Sequence, residues 1–142
     1  MTTVRSYSPS RAGLAYGALI FAAGFVLGTV RSLWLADAVG ATWATIIELP
    51  IILALGWWLC GRVLARMHSP RTVGQRAVVG AIALLVLWFL EMLIVLPLRG
   101  EGIVHFFAGI GEPDRLIGLA GQLLFAAFPL IRRQANSSAS NA

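Results

Sequence analysis

Arg31, Glu48, Glu91 and Gln122 are the side chains of this sequence best placed for chemistry in an apolar setting. Each is the one strongly polar residue in, or at the end of, a long apolar run, at a similar distance from one end of it. If the runs cross a bilayer alternately up and down, the four fall in one layer roughly 10 Å below one surface at 1.5 Å rise per residue. A charge at that depth is costly unless it is paired or reaches water, so the layer is the first candidate for a functional site. Two carboxylates against one guanidinium leave one excess negative charge when all are ionised. One glutamate is therefore expected to hold a proton or to neutralise a cation. Glu48 and Glu91 would titrate as a coupled pair, with no sequence signal assigning the proton to either. Gln122 is neutral and would tune such a site. The same four residues serve equally well as an interhelical clamp that fixes packing.

The elements that carry them follow from composition. Of the 142 residues, 58% are hydrophobic and 12% charged, and the mean hydropathy is +0.83. A soluble core of this size could not hide that much apolar surface. The apolar runs, Gly13 to Val30, Trp43 to Cys60, Val78 to Leu98 and Leu116 to Ile131, are each close to the roughly 20 residues that span a hydrocarbon core. They predict an all-α, four-helix transmembrane bundle occupying residues 1–133 as one domain. The Ser/Asn/Ala-rich tail 134–142 is expected to be disordered. The apolar stretch after Arg5 and Arg11 is long for a signal peptide, and Arg31 and Trp34 precede the small residues Ala36-Asp37-Ala38 that would mimic a cleavage site. It reads as a retained helix.

Arginine sets the orientation. There is no lysine, and the 11 positive residues are all Arg. Arg5 and Arg11 precede the first run, Arg62, Arg66, Arg71 and Arg76 separate the second and third, and Arg132 and Arg133 follow the fourth. The opposite loops, with Asp37, Glu101, Glu112, Asp114, Arg99 and Arg115, are nearly neutral. The positive-inside rule then places both termini in the cytoplasm of a bacterial inner membrane. The net charge of +5 is explained by this asymmetry and by anionic headgroups. The lipid bilayer is the expected partner, with a larger membrane complex or a homo-oligomer beside it, and no nucleic acid is required.

Chemistry of other kinds has little support. Cys60 is the single cysteine, and His68 and His105 have no partner at ligand spacing, so no metal or other cofactor is expected. There is no CxxC, HExxH, GxSxG or phosphate-binding glycine loop. An intramembrane enzyme would need a nucleophile or a metal site beside the carboxylates, and the expectation is that the chain is not an enzyme.

Helix faces give the polar residues a direction. Gly17, Gly24 and Arg31 recur every seven residues with Gly28 beside them, and Gly13/Gly17 and Gly24/Gly28 are small-xxx-small pairs. Such a face lets another helix approach closely and would turn Arg31 into the bundle. A homo-oligomer through the same glycines is the competing use. Gly80 lies about 20° from Glu91 on an ideal wheel, and Gly118, Gln122, Ala126 and Pro129 form a narrow stripe on the fourth helix. Pro50 frees the Ile46 carbonyl beside Glu48. Trp34, Trp43, Trp57 and Trp58 stand where interface anchors belong. Trp88, three residues before Glu91, walls the polar site or packs against core or lipid.

Between Gly100-Glu101-Gly102 and Gly109-Ile110-Gly111 the run Ile103 to Ala108 is too short to span. It predicts a short interfacial or re-entrant helix in the second outer loop, acting as a lid or simply covering the bundle end. The chain also divides into two hairpins, a parallel arrangement with no convincing sequence repeat. The stretch Phe21-Ala22-Ala23-Gly24-Phe25-Val26-Leu27-Gly28-Thr29-Val30-Arg31, with Glu48-Leu49-Pro50 and Glu91, resembles an uncharacterised family of small bacterial four-helix membrane proteins. The resemblance covers nearly the whole chain and implies no activity. Two function classes lead: a non-enzymatic accessory or structural membrane module, and a proton- or cation-linked transporter or channel using Glu48 and Glu91.

Overall fold

The computed structural model describes residues 8–66, 72–100 and 102–132. Arg5, His68, Arg71, Glu101, Arg133 and the tail 134–142 lie outside the described residues. All secondary structure among the described residues is helical, and four of the helices are long and apolar enough to cross a membrane.

Helix α1 is Pro9–Val30, continuing through a π-helical turn, Arg31–Leu35, into a last α-helical turn, Ala36–Val39. Helix α2 is Ala41–Arg66. Helix α3 is Val73–Leu90, likewise continuing through a π-helical turn, Glu91–Val95, into Leu96–Arg99. The short α4 is Ile103–Ala108, and α5 is Pro113–Ile131. The helices overrun the apolar stretches because caps, not hydropathy, set their ends. Ser8 Oγ accepts from Arg11 N at 3.4 Å with Pro9 in the first turn, and Thr72 Oγ1 accepts from Gln75 N at 3.2 Å. Gly40, at φ +84°, turns α1 into α2 in a single residue, a conformation that a side chain would strain.

The four long helices form two antiparallel hairpins, α1–α2 and α3–α5, packed side by side. Gly13 faces Val79 and Ile82 while Gly17 faces Ala83 and Val86, so α1 and α3 run parallel. Leu49 against Gly121 and Gly56 against Phe128 set α2 parallel to α5 in the same way. Around the ring the order is α1, α2, α5, α3. The core is a cluster of Ala12, Tyr16, Ile20, Cys60, Val63, Val79, Ala83, Leu87 and Phe125, in the half of the bundle that carries Arg62, Arg66 and Arg132. The outside is apolar. Val26, Leu85, Phe89 and Ile131 are all about three-fifths exposed, an arrangement suited to lipid and not to water.

The glycines divide into two groups. A Cβ on Gly17 would sit 2.7 Å from the Ala83 carbonyl oxygen, and one on Gly80 would run into the Ala126 carbonyl, so α1–α3 and α3–α5 close through missing side chains. Gly24, Gly28 and Gly118 do not serve this purpose. The nearest atom to a Cβ on Gly24 is Ile52 Cδ1 at 4.0 Å, and Gly28 and Gly118 have nothing within 4 Å. The close approach expected there is not made. In that half of the bundle Arg31, Glu48, Trp88, Glu91 and Gln122 line the space between the helices.

Candidate functional site

Arg31 opens the π turn of α1, its N–H shared between the Leu27 and Gly28 carbonyls, and Ala36 N–H reaches back to the Arg31 carbonyl. Two residues earlier, Thr29 Oγ1 donates to the Phe25 carbonyl at 2.7 Å, a side-chain back-bond of the kind that bends helices. The guanidinium meets α2: Nη1 donates to Thr45 Oγ1 at 3.1 Å, and Nε lies 2.7 Å from Glu48 Oε2. The Nε–H is not aligned with that oxygen, so this contact is held by charge more than by hydrogen-bond geometry. Thr45 in turn donates to the Ala41 carbonyl at 3.0 Å, which fixes the hydroxyl with its lone pairs toward Arg31. The side chains of Arg31 and Glu48 are 20% and 17% exposed.

The second hairpin repeats the device with different residues. Glu91 opens the π turn of α3, its N–H shared between the Leu87 and Trp88 carbonyls. Gln122 on α5 donates from Nε2 to Glu91 Oε1 at 2.8 Å and accepts from Trp88 Nε1 at 2.8 Å. Trp88 therefore belongs to the polar group and orients the amide, which in turn holds the carboxylate. The structure brings Arg31 to Glu48 and Glu91 to Gln122, one pair in each hairpin. All four residues line the same cavity, of about 920 Å³, between the splayed halves of α1, α2, α3 and α5. Gly24, Gly28 and Gly118 are in its walls, and Phe107 and Ile110, from α4 and the turn after it, stand at its rim beside Asp114 and Arg115. Arg115 Nε is 3.5 Å from Glu112 Oε2. Among the described residues no three of His, Cys, Asp and Glu gather at metal-binding distance.

Tyr16 closes the bundle below the cavity and was not singled out by sequence pattern. Its side chain is fully buried, and its hydroxyl lies 3.2 Å from the Gly56 carbonyl and 3.1 Å from the Phe125 carbonyl. With one hydrogen it donates to either oxygen or shares between them. The sequence does contain the signal. Pro129 has no N–H, so the Phe125 carbonyl four residues earlier lacks its helical donor and needs another. A tyrosine within an apolar run needs an acceptor for the same reason. The ring also packs edge-on against Phe125, with centroids 5.4 Å apart.

At the far end, the Arg132 guanidinium donates to the Trp57 carbonyl, stacks 4.9 Å from the Trp57 ring centroid, and occupies the notch left by Gly61. Arg62 stacks 4.6 Å over Trp58. Each of these tryptophans thus carries an arginine. No protein-family model, curated protein or solved structure matches the chain. The resemblance drawn from the sequence therefore rests on the residues that prompted it.

Proposed function

We propose that this chain is a non-enzymatic accessory or structural module of a bacterial plasma membrane, with both termini in the cytoplasm and α4 lying in the interface of the second outer loop. The observation that carries this reading is the pairing of the polar residues. Each of Arg31, Glu48, Glu91 and Gln122 is engaged across a helix boundary inside its own hairpin. The Tyr16 hydroxyl and the Gly13/Gly17 and Gly121 contacts then join one hairpin to the other. Polar groups used this way give a bundle a defined register in lipid, where apolar packing alone discriminates poorly between alternatives. Gly13 and Gly17 are spent inside the chain, so a homo-oligomer or a larger complex would form through the lipid-facing surfaces of the helices.

A second reading, proton- or cation-linked transport through Glu48 and Glu91, is favoured by one observation: both carboxylates stand in the wall of a large cavity. Replacing Glu91 by Gln separates the two, because the new amide oxygen still accepts the Gln122 N–H. In proteoliposomes between pH 5 and 8, the module reading expects no proton or cation flux from either form. Flux by the wild type that is lost in Glu91→Gln, with the fold intact, would establish the transport reading instead.

A further inference from the structure

The end of the bundle away from the cavity carries side-chain charge of one sign throughout the sequence. Of the 11 arginines, all but Arg31, Arg99 and Arg115 fall in the segments that begin or end there, while the six acidic residues, Asp37, Glu48, Glu91, Glu101, Glu112 and Asp114, are all in the sequence segments of the other half. The segments 1–8, 67–71 and 133–142 hold neither Asp nor Glu. We propose that Arg62 and Arg66, on the outer side of α2, form the headgroup site of one anionic phospholipid whose acyl chains lie along the adjoining groove between α1 and α2. The inference goes beyond the module reading and needs only that the four long helices cross a bilayer.

Position on the helix comes first. Trp58, Arg62 and Arg66 follow one another at intervals of four residues on α2, so they share one face, and all three are exposed. The Arg62 guanidinium lies 4.6 Å over the Trp58 ring, a contact that steadies the side chain without a carboxylate. Two like charges four residues apart repel, and a phosphate between them would relieve that repulsion while accepting charge-assisted hydrogen bonds from both. Helix dipoles do not reverse the sign. The negative end of α2 at Arg66 is offset by the positive end of α1, whose first turn includes Ala12 across the groove. The groove itself is lined by Ala12, Ala15, Leu19, Val63 and Arg66. At about 50 Å³ it cannot enclose a ligand, but it can seat a segment of chain beside the headgroup. Leu19 on α1 and Leu55 on α2, both exposed, continue the apolar surface toward the middle of the bundle. A zwitterionic headgroup would bring its own cation into a region with no side-chain carboxylate to receive it. A headgroup whose only charge is the phosphate complements the two guanidiniums.

The test uses the full chain, delipidated in a non-ionic detergent, and native mass spectrometry, with dioleoyl phosphatidylglycerol as the probe and dioleoyl phosphatidylcholine as its zwitterionic counterpart. Wild type is expected to retain one phosphatidylglycerol, about tenfold more tightly than phosphatidylcholine. Glycerol phosphate at equal concentration should not displace it, because the acyl chains contribute to binding. Arg62→Gln combined with Arg66→Gln should remove the preference for phosphatidylglycerol with the thermal unfolding profile retained. Arg5→Gln combined with Arg133→Gln lowers the net charge equally and should leave that preference in place. Ala15→Leu fills the groove, keeps every charge and should weaken phosphatidylglycerol binding about tenfold; it carries the test should the Arg62/Arg66 variant fail to fold. Equal retention of the two lipids by wild type would overturn the assignment of charge. Displacement by glycerol phosphate would overturn the assignment of a lipid in favour of a free anion. An equal loss in the two double variants, or undiminished binding in a folded Ala15→Leu variant, would overturn the assignment of place. Absence of phosphatidylglycerol binding to folded wild type would overturn the proposal outright.

Discussion

A single hydroxyl hydrogen at Tyr16 answers a defect that Pro129 creates on another helix, and this makes the tyrosine more than a core side chain. Tyr16→Phe removes the donor and leaves the Phe125 carbonyl buried without one, a loss of about 1 kcal/mol. Pro129→Ala restores a backbone N–H four residues after Phe125, and the helix can then serve its own carbonyl. The two changes should therefore be non-additive in detergent unfolding, with Tyr16→Phe costing clearly less in the Pro129→Ala background; strict additivity would show that the hydroxyl does not compensate for the proline. A comparable argument applies to Arg31. Removing it takes from Glu48 a partner at 2.7 Å, so Arg31→Ala should lose about 2 kcal/mol, between the values for exposed and fully buried pairs. Glu48→Gln in the same chain should return much of that loss, whereas Glu91→Gln, whose carboxylate is held by Gln122, should return little. A rescue by Glu91→Gln equal to that by Glu48→Gln would contradict the pairing.

Among the elements, the glycine-bearing faces behave in two opposite ways that spacing alone does not distinguish. Gly17 and Gly28 sit on one face of α1, yet a methyl group at Gly17 meets a backbone oxygen at 2.7 Å and one at Gly28 meets nothing. Gly17→Ala and Gly80→Ala should thus be strongly destabilising, because backbone cannot move aside as a side chain can. Gly28→Ala and Gly118→Ala should be neutral or stabilising by about 0.5–1 kcal/mol, the usual helix preference of alanine over glycine. Thermal unfolding of the four variants reads the sign directly; a loss at Gly118 as large as that at Gly80 would mean the helices close where an open cavity is described. The sequence marked the small residues but not their fate, since the divergence of the helices is a property of four elements together. The two π turns were hidden for a related reason. Arg31–Leu35 and Glu91–Val95 share no residue pattern, and a widened turn follows from how a polar residue and its neighbours settle against the next helix. They stand at the same point of the first helix of each hairpin. π turns are frequent where helices carry functional residues.

For the whole molecule, hydropathy sufficed to identify four spanning-length helices, and Arg31, Glu48, Glu91 and Gln122 are among the residues that line one cavity. Its volume, the role of Trp88 and the Tyr16 bridge needed coordinates, because each depends on which helix stands opposite which. Direction in the membrane is different, being written in charge alone. Arg11, Arg62, Arg66, Arg76 and Arg132 cluster at one end of the bundle, while Asp37, Glu112 and Asp114 stand with Arg115 at the other. In the orientation we propose, with arginine retained on the cytoplasmic side during insertion, Ser8 and Gln75 would lie inside and Asp37 and Gly111 outside. Single cysteines at these four exposed positions, in a Cys60→Ala background that removes the buried native thiol, make this measurable with a membrane-impermeant maleimide. Intact spheroplasts should label Asp37→Cys and Gly111→Cys, and Ser8→Cys and Gln75→Cys should label only after the membrane is opened. The reverse pattern would place the cavity mouth on the cytoplasmic side.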